Sequence, residues 1–530
     1  MDFRYAISLV LEAHLPFVKE FQGEEDLSQA GEEGRFFEFV SETFLPLLGV
    51  FDRLENDHIP FRLGIAISPI LCHMLSDEHL IKKYLHYTDK QIEFGKQEME
   101  RTADQDDLHK LAEFYYNRIL DRRIAFTERY GKNILKALDF YRRKGRVEIL
   151  ASGATNAFMP FISHNTESLQ AQMEIPMSGY RRHFGSPPQG FWLPALGWSS
   201  SMESYLRAYN FSYTIIDSHG LLFGNPLPKK GSFYPAKTPN GTFILARDFY
   251  AVHEIEKFSA NDLYLDNDRD VGYELPPEIV SQFLSAEGER RRTGYKYWAR
   301  SRRGQNTVYN QQVACDMAAR NARQFLENTI ARLEEASKYM EEAPLCLYAQ
   351  NADHFGRFWH EGTQFIESLF RMASGYRDFQ FLSPSEYIFK QNLSSFQVVN
   401  PEFSSWGFSG YAETWLDVSN DWIYRHLSRS MERMTELAER FPDDTGLKER
   451  ALNQAAREIL LAQSGDWSAL LYRQDSTEYA RTQAENALRN FTTIYEALGS
   501  NYISTEWLTT LERRHNIFPN INYRVFRRKK

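Results

Sequence analysis

The chain has 530 residues, 42% hydrophobic and 25% charged, which excludes wholesale disorder. That length suits about two to four domains, or one large barrel with additions. Acidic residues (71) outnumber basic ones (62), and a net charge of −9 is the wrong sign for a bulk nucleic-acid binder. Aromatics are the outlier at 15%, enough to fill a core and also to line a groove with rings. Cys72, Cys315 and Cys346 are too few and too scattered for a disulfide framework or a zinc ribbon, and suit a reducing compartment. No apolar run approaches the ~18 residues of a membrane span. The N-terminus does not read as a signal peptide: Asp2 and Arg4 precede a short apolar run that Glu12 and His14 interrupt. The expectation is a soluble cytoplasmic protein with no membrane or nucleic-acid partner.

Short apolar runs, each closed by a polar residue, recur along the chain. Run 5–11 leads to Glu12 and His14, 61–67 to Ser68, and 147–150 to Ser152, Thr155 and Asn156. Run 190–193 leads to Pro194 and Ala195, 211–216 to Asp217 and His219, and 243–245 to Arg247 and Asp248. Run 345–349 leads to Asn351 and Asp353, and 379–382 to Ser383 and Glu386. Continuous apolar runs suit strands buried on both faces. Helical patterns at 91–101, 133–144 and 317–341 separate several of them, so the order implies a parallel α/β sheet. Seven or eight such strands favour a closed barrel, whose active face is built from polar residues at the C-terminal strand ends.

The texture changes near Pro401. Leu427, Met431, Met434, Leu437, Ala438 and Phe441 recur at three- and four-residue steps, an amphipathic helix over 422–441. Segments 447–463 and 477–498 read as two more, and residues 442–446 as a turn with an N-cap signal. The expected division is a barrel over 1–395 and an all-helical domain over 396–530. The irregular, charged stretch 223–303 is expected as an excursion over the barrel mouth. The basic end Arg527, Arg528, Lys529 and Lys530 reads as a solvated terminus.

There is no P-loop, no Gly-x-Gly-x-x-Gly after a strand, no His-Glu-x-x-His and no Gly-x-Ser-x-Gly. His14, His219 and His354 are isolated strand-end histidines that more often hydrogen-bond neighbours than hold metal, so no metal and no cofactor is expected. What remains is carboxylate chemistry, or binding without chemistry.

Several segments resemble glycoside hydrolase family 57, especially its 1,4-α-glucan branching enzymes. Ala13-His14-Leu15-Pro16 resembles the family's His-Gln-Pro segment, and 151–156 its Thr-His segment, with Asn156 where histidine is usual. Gly190-Phe191-Trp192-Leu193-Pro194-Ala195 resembles the Gly-Phe-Trp-Leu-Pro-Glu of the nucleophile strand. Residues 351–362, beginning Asn351-Ala352-Asp353-His354-Phe355-Gly356, resemble the Asp-x-Glu-Leu-Phe-Gly of the general-acid strand, with Arg357 and Phe358 where histidine and tryptophan are usual. Ser404-Ser405-Trp406-Gly407, Trp415 and Leu460 to Trp467 continue the likeness nearly to the end of the chain. The resemblance implies an α/β fold, a (β/α)7 barrel with an inserted segment and a C-terminal helical domain.

It also implies a retaining reaction, which needs two carboxyl groups about 5–5.5 Å apart, one as nucleophile and one as acid/base. The nucleophile position is Ala195 and the acid position Asn351; neither side chain can do the work. Asp353, two residues on, and Asp217 are the possible substitutes, with Glu12 and Glu203 as further carboxyls to place. The binding apparatus implied by the resemblance is His14, Asn156, Trp192, Asp217, His219, Trp298, Asp353, Trp359, Trp406, Trp415, Asp466 and Trp467, with indoles stacking on pyranose faces. The expected ligand is an α-glucan or oligosaccharide. The leading expectation is a catalytically impaired or inactive relative that retains the cleft. Its alternatives are an active glycosidase or branching/transfer enzyme with relocated carboxylates, and a scaffold in glycogen metabolism that binds no sugar.

Overall fold

A computed structural model describes residues 3–529, apart from 22, 24, 25, 30, 286 and 301–305. Lys530 and the last part of the 223–303 segment therefore lie outside the described residues. Among the described residues seven parallel strands form the central sheet: β1 (Tyr5–Ala13), β2 (Leu63–Ile67), β3 (Val147–Ser152), β4 (Gly190–Trp192), β5 (Tyr213–Asp217), β6 (Phe243–Arg247) and β7 (Leu345–Asn351). Their order is β6-β5-β4-β3-β2-β1-β7. The sheet curls on itself: the N–H of Asp248, just beyond β6, donates to Leu347 C=O of β7 at 2.7 Å. This is the (β/α)7 barrel that the family resemblance implies; the alternation of apolar runs and helices alone left seven or eight strands open.

Every residue of β2 and β5 is buried, which explains why these strands read as unbroken apolar runs. The eighth run becomes Phe379–Phe381, an accessory strand that pairs with Tyr5–Ile7 at the start of β1, not an eighth barrel stave. Parallel pairing brings all C-terminal strand ends to one rim, so Glu12, Ser68, Asn156, Ala195, Asp217, Arg247 and Asn351 gather there although 339 residues separate the first from the last.

Stretch 223–303 contributes β6 and the helix Phe249–Ser259 before turning irregular. Among the described residues none of the irregular part lines the cleft described below. Instead Tyr295 packs against Phe94 and Tyr115, and Tyr297 donates to Glu98 Oε2 at 2.8 Å, so it lies on the flanking helices Glu78–Arg101 and Asp106–Ile124. Asp270 anchors it by accepting from the backbone of Gly272, Thr293 and Gly294.

Beyond residue 420 the chain is helical: Asp421–Arg440, Gly446–Ala462, Gly465–Arg473, Thr477–Gly499 and Thr505–Arg514. The stripe Leu427, Met431, Met434, Leu437 and Ala438 is buried, as its spacing predicts. The N–H of Gly465 donates to Asn156 C=O at 3.1 Å and Gln172 to Gln463 at 2.7 Å, fixing the helices against the end of β3. Among the described residues no helix is long and apolar enough to cross a membrane.

Candidate active site

A cleft of about 420 Å³ opens at the C-terminal rim. Its floor and walls include Glu12, His14, Asn156, Ala195, Asn351 and Asp353 from the strand ends, Trp406 and Trp415 from the irregular stretch 396–420, and Asp466 and Arg473 from the helical region. Two other cavities, of about 460 Å³ at the outer helices and about 530 Å³ at the opposite barrel end, share none of these residues.

Ala195 follows β4 in a left-handed conformation (φ 57°), as does Leu196 (φ 52°). Two successive non-glycine residues in that region cost about 1–3 kcal/mol each. Turn hydrogen bonds, Leu196 N–H to Leu193 C=O and Gly197 N–H to Pro194 C=O, hold the strained elbow. Its methyl packs with Phe158, Ala412 and Trp415. Asn351 ends β7, and its Cα is the in-register partner of Glu12 on β1.

His14 anchors the other side. Its Nε2 lies 2.9 Å from both oxygens of Asp466, and Nδ1 lies 2.8 Å from Ser68 Oγ. Burial alone would lower the His14 pKa, but the Asp466 carboxylate outweighs it and the value is raised. Reciprocally, burial would raise Asp466, but His14, Ser464 and Asn156 hold it below the usual range. Asn156 donates Nδ2–H to Asp466 at 3.0 Å, while its own Oδ1 is buried without a partner among the described residues. Burial raises the Asp353 pKa, with Arg357, 3.4 Å away, opposing. Arg357 and Phe358 line the cleft with Asn156, so all three departures from the family pattern meet at one place.

Several expected residues take other roles. Asp217 does not line the cleft; it pairs with Arg247 and accepts from Ser218 N–H. Burial would raise its pKa, but His219 and Arg247 lower it, so it is a fixed anion unsuited to act as a substitute acid. His219 sits near Gly410 C=O at 2.8 Å, and that close approach requires glycine, since a Cβ at Gly410 would meet the imidazole at 2.7 Å. Trp192 is fully buried and donates Nε1–H to Glu12. Trp359 is fully buried among Tyr264, Phe355 and Phe365, and Trp467 packs on Tyr479 while bonding Leu461 C=O. Trp298 bonds Glu274 on the flanking segment. These four indoles offer no ring face to the cleft. Glu203 accepts from Asn240 N–H, away from the rim.

Of the expected platforms Trp406 and Trp415 remain. Trp415 lies parallel to Phe158 with centroids 4.9 Å apart, and only its margin faces the cleft. Trp406 is half-buried, edge-on to Trp192 at 5.6 Å, with the Arg247 guanidinium over its ring. Residues that the motifs did not mark also line the space: Arg35, Phe408, Tyr472, Arg473 and Asp475. Phe408 carried the one available signal, a bulky apolar residue in a Gly-rich turn; it is 67% exposed.

The family profile of glycosyl hydrolase family 57 matches residues 8–399, and that of the 1,4-alpha-glucan branching enzyme C-terminal region matches 426–526. The chain belongs to glycosyl hydrolase family 57. Among solved structures, AmyC from Thermotoga maritima, described as a novel alpha-amylase, superposes with a TM-score of 0.92 at 31% identity, covering 99% of this chain and 100% of that one. The GH57-type branching enzyme from Pyrococcus horikoshii gives 0.88 at 22% identity, covering 100% and 98%. The 1,4-alpha-glucan branching enzyme TK1436 from Thermococcus kodakarensis is 23% identical over 548 residues, 97% of this chain and 77% of that protein.

Proposed function

We propose that this family-57 protein binds an α-glucan or a related oligosaccharide in the rim cleft and does not perform the retaining double displacement. The observation that carries the reading is the pair Ala195 and Asn351, both lining the cleft, one at each family position for a catalytic carboxyl. A methyl group has no lone pair to form a glycosyl ester. A carboxamide does not protonate a leaving oxygen near neutral pH. Losing transition-state chemistry leaves ground-state binding open, because the two draw on separable interactions.

Relocated catalysis would have to use Glu12 and Asp353, the cleft carboxyls other than Asp466, which pairs with His14, and Asp475, which pairs with Arg35; Asp353 is itself paired with Arg357 at 3.4 Å. Glu12 is on β1, and Asp353 follows the adjacent β7, so both come from one side. The wall at Ala195, Phe158 and Trp415 offers no oxygen nucleophile, and an anomeric carbon between the walls would be approached from one face only. Binding is supported by the half-exposed rings of Phe358 and Phe408 beside Trp406, which suit C–H-rich pyranose faces. The test is calorimetry with maltoheptaose alongside assays of hydrolysis, disproportionation and branching on amylose. The reading expects saturable binding without turnover; turnover that follows the protein through every purification step contradicts it.

A further inference from the structure

Glu12 has no part in the binding reading above, yet it lines the cleft. Its Cα pairs with Asn351 on one side and Ala66 on the other, and in-register neighbours of a parallel sheet direct their side chains to the same face. Glu12 and Asn351 therefore both face the barrel interior. Trp192 reaches across from β4 and donates Nε1–H to Glu12 Oε1 at 2.8 Å. Among the described residues Oε2 has no protein hydrogen bond, and Glu12 lines the cleft.

Among the described residues the one cationic group acting on it is the His14 imidazole, which makes no hydrogen bond to it. His14 gives Nε2 to Asp466 and Nδ1 to Ser68, so neither nitrogen is left for Glu12. From the helical region Asp466 faces it, and from beyond β7 Asp353 does; the guanidinium groups of Arg357 and Arg473 act on Asp353. The result is a buried carboxyl with one neutral donor bonded to it, and with the His14 imidazole opposed by the carboxylates of Asp466 and Asp353.

We propose that Glu12 is a ligand-binding residue of the cleft floor and that it engages a saccharide hydroxyl as the neutral acid, donating from Oε2. A neutral carboxyl gives the ligand a donor and keeps an acceptor; an ionised one can only accept, and a ligand laid over it strips its remaining water. The protonation state agrees: burial pushes the Glu12 pKa up to about 7, with Asp466 and Asp353 adding to the rise and His14 and the Trp192 bond opposing it. The inference rests on the binding reading and adds a residue and a pH dependence to it.

The experiment is calorimetry of the full chain with maltoheptaose between pH 5.5 and 8.5. The wild-type Kd is expected to rise above neutrality, approaching tenfold per pH unit, the limit for one required proton. Glu12→Gln, which keeps the shape and carries a permanent amide donor, is expected to bind with a Kd that does not follow pH. A wild-type Kd that is flat across the range overturns the role of Glu12 and leaves the binding reading standing, whatever the variant does. A variant slope equal to that of the wild type also overturns it, assigning the proton to His14 or Asp353. Absence of heat at every pH removes the binding reading and this inference together.

Discussion

The backbone N–H of Trp406 donates to the carbonyl of Ala195 at 2.9 Å, so the elbow after β4 and the aromatic loop over the cleft are one hydrogen-bonded unit. Antiparallel bridging of Trp198 to Ser404 extends the same seam. The elbow is left-handed at Ala195 and Leu196, and at Ala195 it presents only a methyl group to the cleft.

That geometry makes a stability prediction. Ala195→Gly removes Cβ strain and loses one small apolar contact, so the change is expected to stay within about 1 kcal/mol. Ala195→Val places a β-branched side chain at φ 57° and is expected to cost more than about 2 kcal/mol. Chemical denaturation of the two variants measures the difference; equal midpoints would mean that the elbow relaxes.

Indole placement separates affinity from stability. Trp406→Ala is expected to weaken maltoheptaose binding by up to about tenfold with a small change in melting temperature. Trp359→Ala empties a fully buried site and is expected to cost about 3–5 kcal/mol of stability. Calorimetry and thermal melts on both variants check the pair.

The Glu12 carboxyl also makes stability depend on pH. Its folded pKa, about 7, lies above the model-compound value of 4.5, so folding binds the proton. This contribution is fully present below about pH 4.5 and is lost as pH rises through 7; the shift corresponds to about 3 kcal/mol at most. Glu12→Gln is therefore expected to raise the melting temperature at pH 8 and to change it little at pH 4.5. A variant that melts lower than the wild type at pH 8 contradicts the assignment.

Asp466 is the acceptor for His14, Asn156 and Ser464 together. Asp466→Ala leaves three buried donors without their partner and an imidazole without its counter-ion, an expected loss of about 3–5 kcal/mol. The His14→Ala, Asp466→Ala double variant is expected to lose less than the sum of the singles, because the second change removes a group already stranded. Equilibrium unfolding of the three proteins tests the coupling.

Much of the barrel was legible because parallel strands are buried on both faces and leave continuous apolar runs. Even β4, three residues long, was visible through its Gly-Phe-Trp run, and the strand-end residues followed from parallel topology alone. The run at 379–382 misled because an accessory strand packed at the barrel base is as apolar as a stave. The tryptophans misled for a related reason. A large indole serves equally in a core or on a ligand, and only the tertiary neighbours of Trp192, Trp359 and Trp467 decide between them. The helix Gly465–Arg473, which buries Trp467 and brings Asp466 to His14, has nine residues, too few for its periodicity to stand out. Arg35 and Arg473 belong to no motif: Arg473 reaches the cleft because the helical region folds over the rim, and Arg35, on the helix Glu33–Glu38 after β1, meets that region by bonding Asp475 at 2.8 Å.

The most direct measurement is proton NMR of the purified protein with maltoheptaose, following ligand line widths and anomeric signals in the same samples. The account predicts saturable broadening of the ligand resonances with no new reducing ends and no α-1,6 branch signals over days. Steady appearance of either product, at a rate proportional to protein and abolished by Glu12→Gln or Asp353→Asn, would contradict it.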